Sequence, residues 1–372
     1  MEDVLNYLKG IIWVLFLFIT IQVRADFVQI NPLSPGQFLD QHGKPLAVHG
    51  INRFAIYEAK DNQDDMDVEA YFKYLADNHF NLVRVIVREG YVKEGQREVK
   101  IPLESILGVY NQEHLQELDS VMEMAKKYKV YVILCIFDHY FLSHAWVPDI
   151  ASSRIPIERA TPYYLPQTIS DEFYSDPNLR FYAKKRASFL ASRYKNEKYL
   201  FAWEPMNEVN GVLKDSYTPE NQQVFNWYED VASAIKNADP HHLVSLSLTG
   251  DLYYSPEGEY QPWVSFYKSS ATDIIQIHSY GFDNANWRTF LKGPFNNSLK
   301  IAKSFHKPVL LGEFSVRTDN PIRNEIIKEI YQTAKDNQIP AMLWTHRWDQ
   351  FGDLNKKIIK IYHQIFLKKD TL

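Results

Sequence analysis

A single cysteine, Cys135, occurs in 372 residues, so no internal disulfide can form. It lies inside Val132-Ile133-Leu134-Cys135-Ile136-Phe137 and reads as a small core hydrophobe. Long basic runs are missing and the formal net charge is only -5, which argues against nucleic acid as a partner. No Gly-x-Gly-x-x-Gly or Walker loop follows any strand-like run, which removes the usual signatures of nucleotide binding. There is no His-Glu-x-x-His and no cysteine pair. Asp138-His139, His144, His241-His242, His278 and His346 therefore lack metal-ligand spacing, and neither a catalytic metal nor a cofactor is expected, a structural calcium on loop carboxylates being left open. Asn296-Asn297-Ser298 is a glycosylation sequon in form only.

Long apolar runs are equally scarce. The one block, Ile11 to Ile21, falls short of the about 20 residues a spanning helix needs. It fits the core of a signal peptide, with Val23 and Ala25 before Asp26 as a small-residue cleavage site, although Glu2 and Asp3 offset Lys9 where a positive start is usual. Residues 1–25 are thus expected to be a signal peptide and 26–372 one exported domain, secreted or periplasmic. An uncleaved membrane anchor and a buried N-terminal helix are the alternatives. A chain exported without disulfides must stabilise itself by packing, which this length permits. No linker, low-complexity tract or internal repeat divides it, and a monomer is expected.

What the chain has in quantity is aromatic surface: 24 Tyr, 22 Phe and 8 Trp. Most of these must pack a core, but flat faces also stack on sugar rings in clefts. Two stretches organise the rest. Phe201-Ala202-Trp203-Glu204-Pro205-Met206-Asn207-Glu208 is an apolar strand that opens into an amide and a carboxylate, and Pro308-Val309-Leu310-Leu311-Gly312-Glu313-Phe314-Ser315 is another buried-looking strand that ends in one carboxylate. Two carboxylates on two strand ends suggest an acid paired with a base or nucleophile. Glycoside cleavage characteristically needs such a pair, because one carboxyl protonates the leaving oxygen while the other meets the oxocarbenium-like carbon.

In chain order, Gln37 to Leu46 reads as a hairpin around a polar turn, after which strand and helix alternate. Strands are predicted over 47–54, 81–87, 130–137, 201–208, 243–248, 273–280, 308–315 and 339–345, the third a near-continuous apolar run of the kind found in parallel sheets. Helical spacing follows each, with starts signalled by Asp176-Pro177, Thr218-Pro219 and Asn320-Pro321, a weaker helix near 265–271 and one over 286–304. Eight such units predict an α/β protein with a (β/α)8 barrel, an open doubly wound sheet being the alternative. Residues 139–175 exceed an ordinary connection and are expected to form one wall of a cleft, with Trp146, Tyr163 and Tyr164 as sugar-binding aromatics or, alternatively, packed inward.

Active sites of such barrels lie at the C-terminal ends of the strands. Those ends carry Arg84, Asp138-His139, Asn207-Glu208, His278-Ser279-Tyr280, Glu313, and Trp344 with His346. His241-His242 precedes strand five, at the opposite end, where a stabilising role is the better reading. The set resembles glycoside hydrolase family 5, whose characteristic Arg, His, Asn-Glu, His-x-Tyr, Glu and Trp fall on Arg84, His139, Asn207, Glu208, His278, Tyr280, Glu313 and Trp344. The likeness runs from Val48-His49-Gly50-Ile51-Asn52 to Trp344, with Val209 where the family often has proline. It implies Glu313 as nucleophile, kept charged by Arg84 and Tyr280, and Glu208 as acid/base, the two carboxyls roughly 5 to 5.5 Å apart. Asn207 would donate to the sugar 2-hydroxyl, His139 and His278 would bind hydroxyls or orient the acid, and Trp344 would floor the cleavage point. The wording of strand four looks like the mannanase and cellulase branches. The expected activity is therefore retaining hydrolysis of internal linkages in β-mannan or β-glucan. A catalytically silent sugar-binding or cell-wall-binding barrel is the alternative.

Overall fold

Each apolar run predicted to be a strand forms one. The structure is a computed structural model that describes residues 26–53, 67–87, 91–92, 99–100, 103–138, 146, 171–209, 219–249, 266–280, 282, 285–344 and 356–367. Eight parallel strands close into a barrel: β1 (Gly50–Arg53), β2 (Leu82–Ile86), β3 (Tyr131–Asp138), β4 (Leu200–Asn207), β5 (Leu243–Thr249), β6 (Ile274–Ser279), β7 (Val309–Phe314) and β8 (Ala341–Leu343). Neighbours in sequence are neighbours in the barrel, and β8 pairs with β1 to close it. An open sheet is thereby excluded. Helices Val68–Asp77, Gln112–Tyr128, Pro177–Tyr194, Pro219–Ala238, Arg323–Asp336 and Lys356–Tyr362 alternate with the strands. Among the described residues no helix is long and apolar enough to cross a membrane.

Local chemistry sets the helix starts. Asp67 accepts from the Ala70 amide, Asn111 from those of Glu113 and His114, and Asp176 from those of Asn178 and Leu179, with Pro177 in the first turn. Each carboxylate or amide satisfies amides that have no partner within the helix. The helix expected from Asn320-Pro321 begins at Arg323 instead, because the Asn320 side chain caps a turn through the Ile322 amide. The segment 286–304 is helical but carries a π turn at Leu291–Phe295, where Pro294 has no amide to donate and so breaks the regular ladder. Near 265–271, residues 266–268 form a short helical piece.

The barrel interior is apolar at its base and polar above. Strand starts contribute Leu82, Ile133, Ala202, Leu243, Ile274 and Leu310 to one buried cluster, sealed from below by Val28 and Phe38. The seal is larger than the expected hairpin: Gln29–Ile30 adds a third antiparallel strand to Phe38–Leu39 and Pro45–Leu46. Also at this end, His242 bonds the Asp239 carboxylate at 2.6 Å and the Glu197 carbonyl at 3.0 Å, which fits a stabilising role for this pair of histidines. Cys135 is fully buried, as its surroundings in sequence imply.

Trp146 corrects one expectation. It is fully buried, edge-on to Phe137 at 5.1 Å and Phe173 at 5.9 Å, so its ring packs inward instead of facing a cleft. Tyr163 and Tyr164 lie outside the described residues. Trp146→Ala should therefore destabilise the fold by about 3–5 kcal/mol in denaturant melts, the usual effect of emptying an aromatic core position. A loss under about 1 kcal/mol would remove this ring from the core.

Candidate active site

The side chains above the apolar base come from every second strand position, as the pleat requires. Arg84 follows Leu82, Glu204 follows Ala202, Ser245 and Ser247 follow Leu243, and Gln276 and His278 follow Ile274. All six are at most 1% exposed. Arg84 is the hub. Its Nε and Nη2 donate to the two oxygens of Glu204 at 2.7 and 2.6 Å, and Nη2 also reaches Asn207 Oδ1 at 2.7 Å. Its Nη1 donates to Glu313 Oε1 at 2.5 Å and Asn52 Oδ1 at 3.2 Å. A guanidinium has five N–H donors, and these contacts match them one for one. Glu204 is completed by Gln276, which donates at 2.9 Å, and Asn52 is anchored by donating to the Gly312 carbonyl at 2.8 Å.

Glu313 owes its aim to a bulge. In the β6–β7 pair Ile277 faces Leu311 and His278 faces Glu313, which leaves Gly312 as an extra residue. Without it, Phe314 would share the inner face of Leu310; with it, Phe314 packs outward on Tyr331 and Glu313 turns to the barrel mouth. Only glycine fits there, since a Cβ would lie 2.5 Å from Gln276 Oε1 and 3.1 Å from His278 Nε2. The second Glu313 oxygen accepts from the Tyr280 hydroxyl at 2.7 Å.

Glu208 follows β4 at φ 47°, in the left-handed region. That conformation costs of order 1–3 kcal/mol away from glycine and persists only where neighbours enforce it. The Glu208 amide donates to Ser247 Oγ at 3.0 Å, and Glu208 Oε1 lies 2.9 Å from His278 Nδ1. The same ring nitrogen is 3.3 Å from Glu313 Oε1, and His278 Nε2 is 3.2 Å from Ser247 Oγ. One oxygen of Glu208, one of Glu313 and a nitrogen of His278 lie within 4.8 Å of one another. Among the described residues this is the one such convergence of metal-ligand types. The charge already there is supplied by Arg84, which would compete with any cation for Glu313 Oε1.

Burial and charge act against each other here. Burial disfavours the charge of Arg84, but the paired contact with Glu204, and then Glu313, raise its pKa well above the ordinary value. Burial likewise opposes the Glu204 carboxylate, yet Arg84 by charge and hydrogen bonds holds it below the usual range. For Glu313 burial dominates and pushes the carboxyl up, with Glu208 adding to the rise and His278, Arg84 and Tyr280 restraining it. Burial takes His278 down to about 4, so the ring is neutral at pH 7.

Of the residues expected at the site, the structure brings Arg84, Asn207, Glu208, His278, Tyr280 and Glu313 together. Asn207 Nδ2 donates to Asp138 at 3.2 Å. Trp344 follows β8, half-buried, its amide bonded to the Phe314 carbonyl at 2.9 Å. His139, His144 and His346 lie outside the described residues. Sequence reasoning missed Glu204, Gln276, Ser245 and Ser247. For Gln276, Ser245 and Ser247 the signal was present as polar residues at every second position of otherwise apolar strands.

The fold and site define a barrel glycosidase. The family profile for Cellulase (glycosyl hydrolase family 5) matches residues 39–350, and the chain belongs to that family. It is therefore a glycoside hydrolase. Mannan endo-1,4-beta-mannosidase 3 of Arabidopsis thaliana is 23% identical over 88% of this chain and 86% of its own length. Mannan endo-1,4-beta-mannosidase 4 of Solanum lycopersicum is 23% identical over 81% and 77%. Among solved structures, a glycoside hydrolase family 5 mannosidase from Rhizomucor miehei superposes with a TM-score of 0.71 at 16% identity, covering 92% of this chain and 98% of that one. The endo-1,4-beta-D-mannanase of Thermotoga petrophila gives 0.65 at 20% identity, covering 87% and 100%.

Glu204→Ala would leave a buried guanidinium short of its main counter-charge. It should destabilise the protein by about 3–5 kcal/mol in denaturant unfolding. A change within about 0.5 kcal/mol would show that Arg84 does not depend on it.

Proposed function

We propose that the protein is a retaining endo-hydrolase of β-1,4-mannan, with Glu313 as nucleophile and Glu208 as acid/base. The observation that carries this reading is the convergence of the two carboxyls in unlike surroundings. One oxygen of each lies within 4.8 Å of the other, near enough for the two carboxyls to flank one glycosidic bond. Glu313 has the guanidinium of Arg84 and the hydroxyl of Tyr280, both of which favour the anion a nucleophile must be. Glu208 has a neutral histidine and a serine.

In the first step Glu313 attacks the anomeric carbon while the Glu208 proton passes to the leaving oxygen. In the second, Glu208 takes a proton from water, and that water releases the sugar from Glu313. Asn207 donates to the 2-hydroxyl, and Trp344 supplies the floor on which the sugar stacks. Mannan is favoured over β-glucan by the names of the relatives above, while the family profile's own name keeps glucan as the second candidate. Export through cleavage of residues 1–25 suits a polymeric substrate outside the cell. The assignment for Trp344 rests on its position at the end of β8.

The test is hydrolysis of mannan, glucan and xylan, with the anomer of the first product followed by NMR. Mannan should be cleaved internally with retention. Glu313→Ala should abolish turnover on every substrate. Glu208→Ala should lower kcat on polymer by about 10²–10⁴-fold, spare substrates with good leaving groups, and regain its second step with azide. An inverted product would contradict the retaining assignment, and no hydrolysis of any polymer would leave a sugar-binding barrel.

A further inference from the structure

Ser247 stands in the middle of β5, a strand that contributes nothing to the reaction described above, yet its hydroxyl touches the acid/base residue by two routes. It accepts the Glu208 amide at 3.0 Å and lies 3.2 Å from His278 Nε2, while the other ring nitrogen, Nδ1, lies 2.9 Å from Glu208 Oε1. The contacts form a closed ring: Glu208 main chain, Ser247, His278, Glu208 side chain. Ser247 is fully buried, as is His278, so water does not substitute for either partner.

Proton counting gives the ring a direction. A neutral imidazole carries one N–H. Nδ1 faces two carboxyls, Glu208 at 2.9 Å and Glu313 at 3.3 Å, so the proton belongs there. Nε2 is then a bare acceptor buried in the barrel, and the hydrogen it requires comes from Ser247 Oγ, which accepts the Glu208 amide on one of its two lone pairs. The single Ser247 hydrogen is therefore committed, and so is the ring.

We propose that Ser247 is a positioning residue for the acid/base carboxyl: it holds Glu208 in its left-handed backbone conformation and locks His278 in the Nδ1–H tautomer. The proposal rests on Glu208 being the acid/base. Its consequence is directional. With Nδ1–H donated to Oε1, the acid proton of Glu208 belongs on its other oxygen, Oε2. Without Ser247, His278 can carry its proton on Nε2, and Nδ1 would then present a lone pair to both carboxyls.

The ring nitrogens can be read directly by long-range ¹⁵N–¹H correlation at pH 7, the His278 signals being identified by their loss in His278→Gln. Wild type should show Nδ1 protonated and Nε2 bare; the reverse pattern would overturn the proposal without any variant at Ser247. In Ser247→Ala the bare Nε2 signal should be lost, and kcat/KM on manno-oligosaccharide should fall about tenfold, the usual effect of a missing buried hydrogen bond. A mannoside with a dinitrophenol leaving group should change less than about twofold in the first step, because it needs little protonation. Ser247→Thr, which keeps the hydroxyl, should restore the tautomer and most of the lost rate. An unchanged tautomer in Ser247→Ala, or equal losses on both substrates, would overturn the positioning role and leave Ser247 a packing residue. Glu208→Ala is measured beside it: if that variant fails to spare the dinitrophenyl substrate, the acid/base assignment itself falls and the catalytic half of the proposal with it. The ring-nitrogen pattern, read without turnover, still decides the tautomer lock on its own.

Discussion

Everything polar inside this barrel is arranged around one buried guanidinium. Arg84 cannot give up its proton, and it lies where water does not reach, so each of its donors must end on an acceptor. Glu204 takes one edge of the fork, and Glu313, Asn207 and Asn52 take the remainder. The four acceptors come from β1, the end of β4, its middle, and β7, so this charge ties strands across the barrel as well as fixing a carboxylate at its mouth. Two anions on one cation also explain why burial can be tolerated at all. Glu204 supplies the permanent counter-charge, and Glu313 keeps an oxygen for chemistry, supported by Tyr280.

Two departures from regular backbone deliver the carboxyls to this hub. A bulge at Gly312 reverses the facing of β7, and a left-handed residue at Glu208 ends β4. Both occur where the β6 side chains Gln276 and His278 crowd the interior, which is why a Cβ at position 312 has no room. The apolar base, sealed by Val28 and Phe38, supplies the rigid floor against which such strain can be held. Stability and reactivity are thus divided along the barrel axis, with hydrophobic burial at the strand starts and satisfied charge at the strand ends.

The architecture was legible because parallel strands buried on both faces read as apolar runs, and caps such as Asp176-Pro177 mark helix starts in the chain itself. Asn207, Glu208, His278, Tyr280 and Glu313 were legible because each stands at or near the end of such a run as a polar group, and Arg84 because it is a lone charge in the middle of one. Glu204 was not, since it sits inside an apolar strand and its partner is 120 residues away. Ser245, Ser247 and Gln276 carried a weaker signal, the alternation of polar residues with outward-facing Val244, Leu246, Ile275 and Ile277. The Gly312 bulge depends on the register of a neighbouring strand and has no local signature. Trp146 misled because loop length pointed to a cleft wall, whereas its burial depends on Phe137 and Phe173, which only the folded chain brings to it.

The central claim is that Glu313, held by Arg84 and Tyr280, becomes bonded to sugar. A 2-deoxy-2-fluoro-mannoside with a good leaving group slows the second step more than the first and should accumulate that species. Peptide mass spectrometry of the inactivated protein should find one fluoro-mannosyl group, attached to Glu313. A label on Glu208, or turnover of the probe with no label on any carboxylate, would contradict the account.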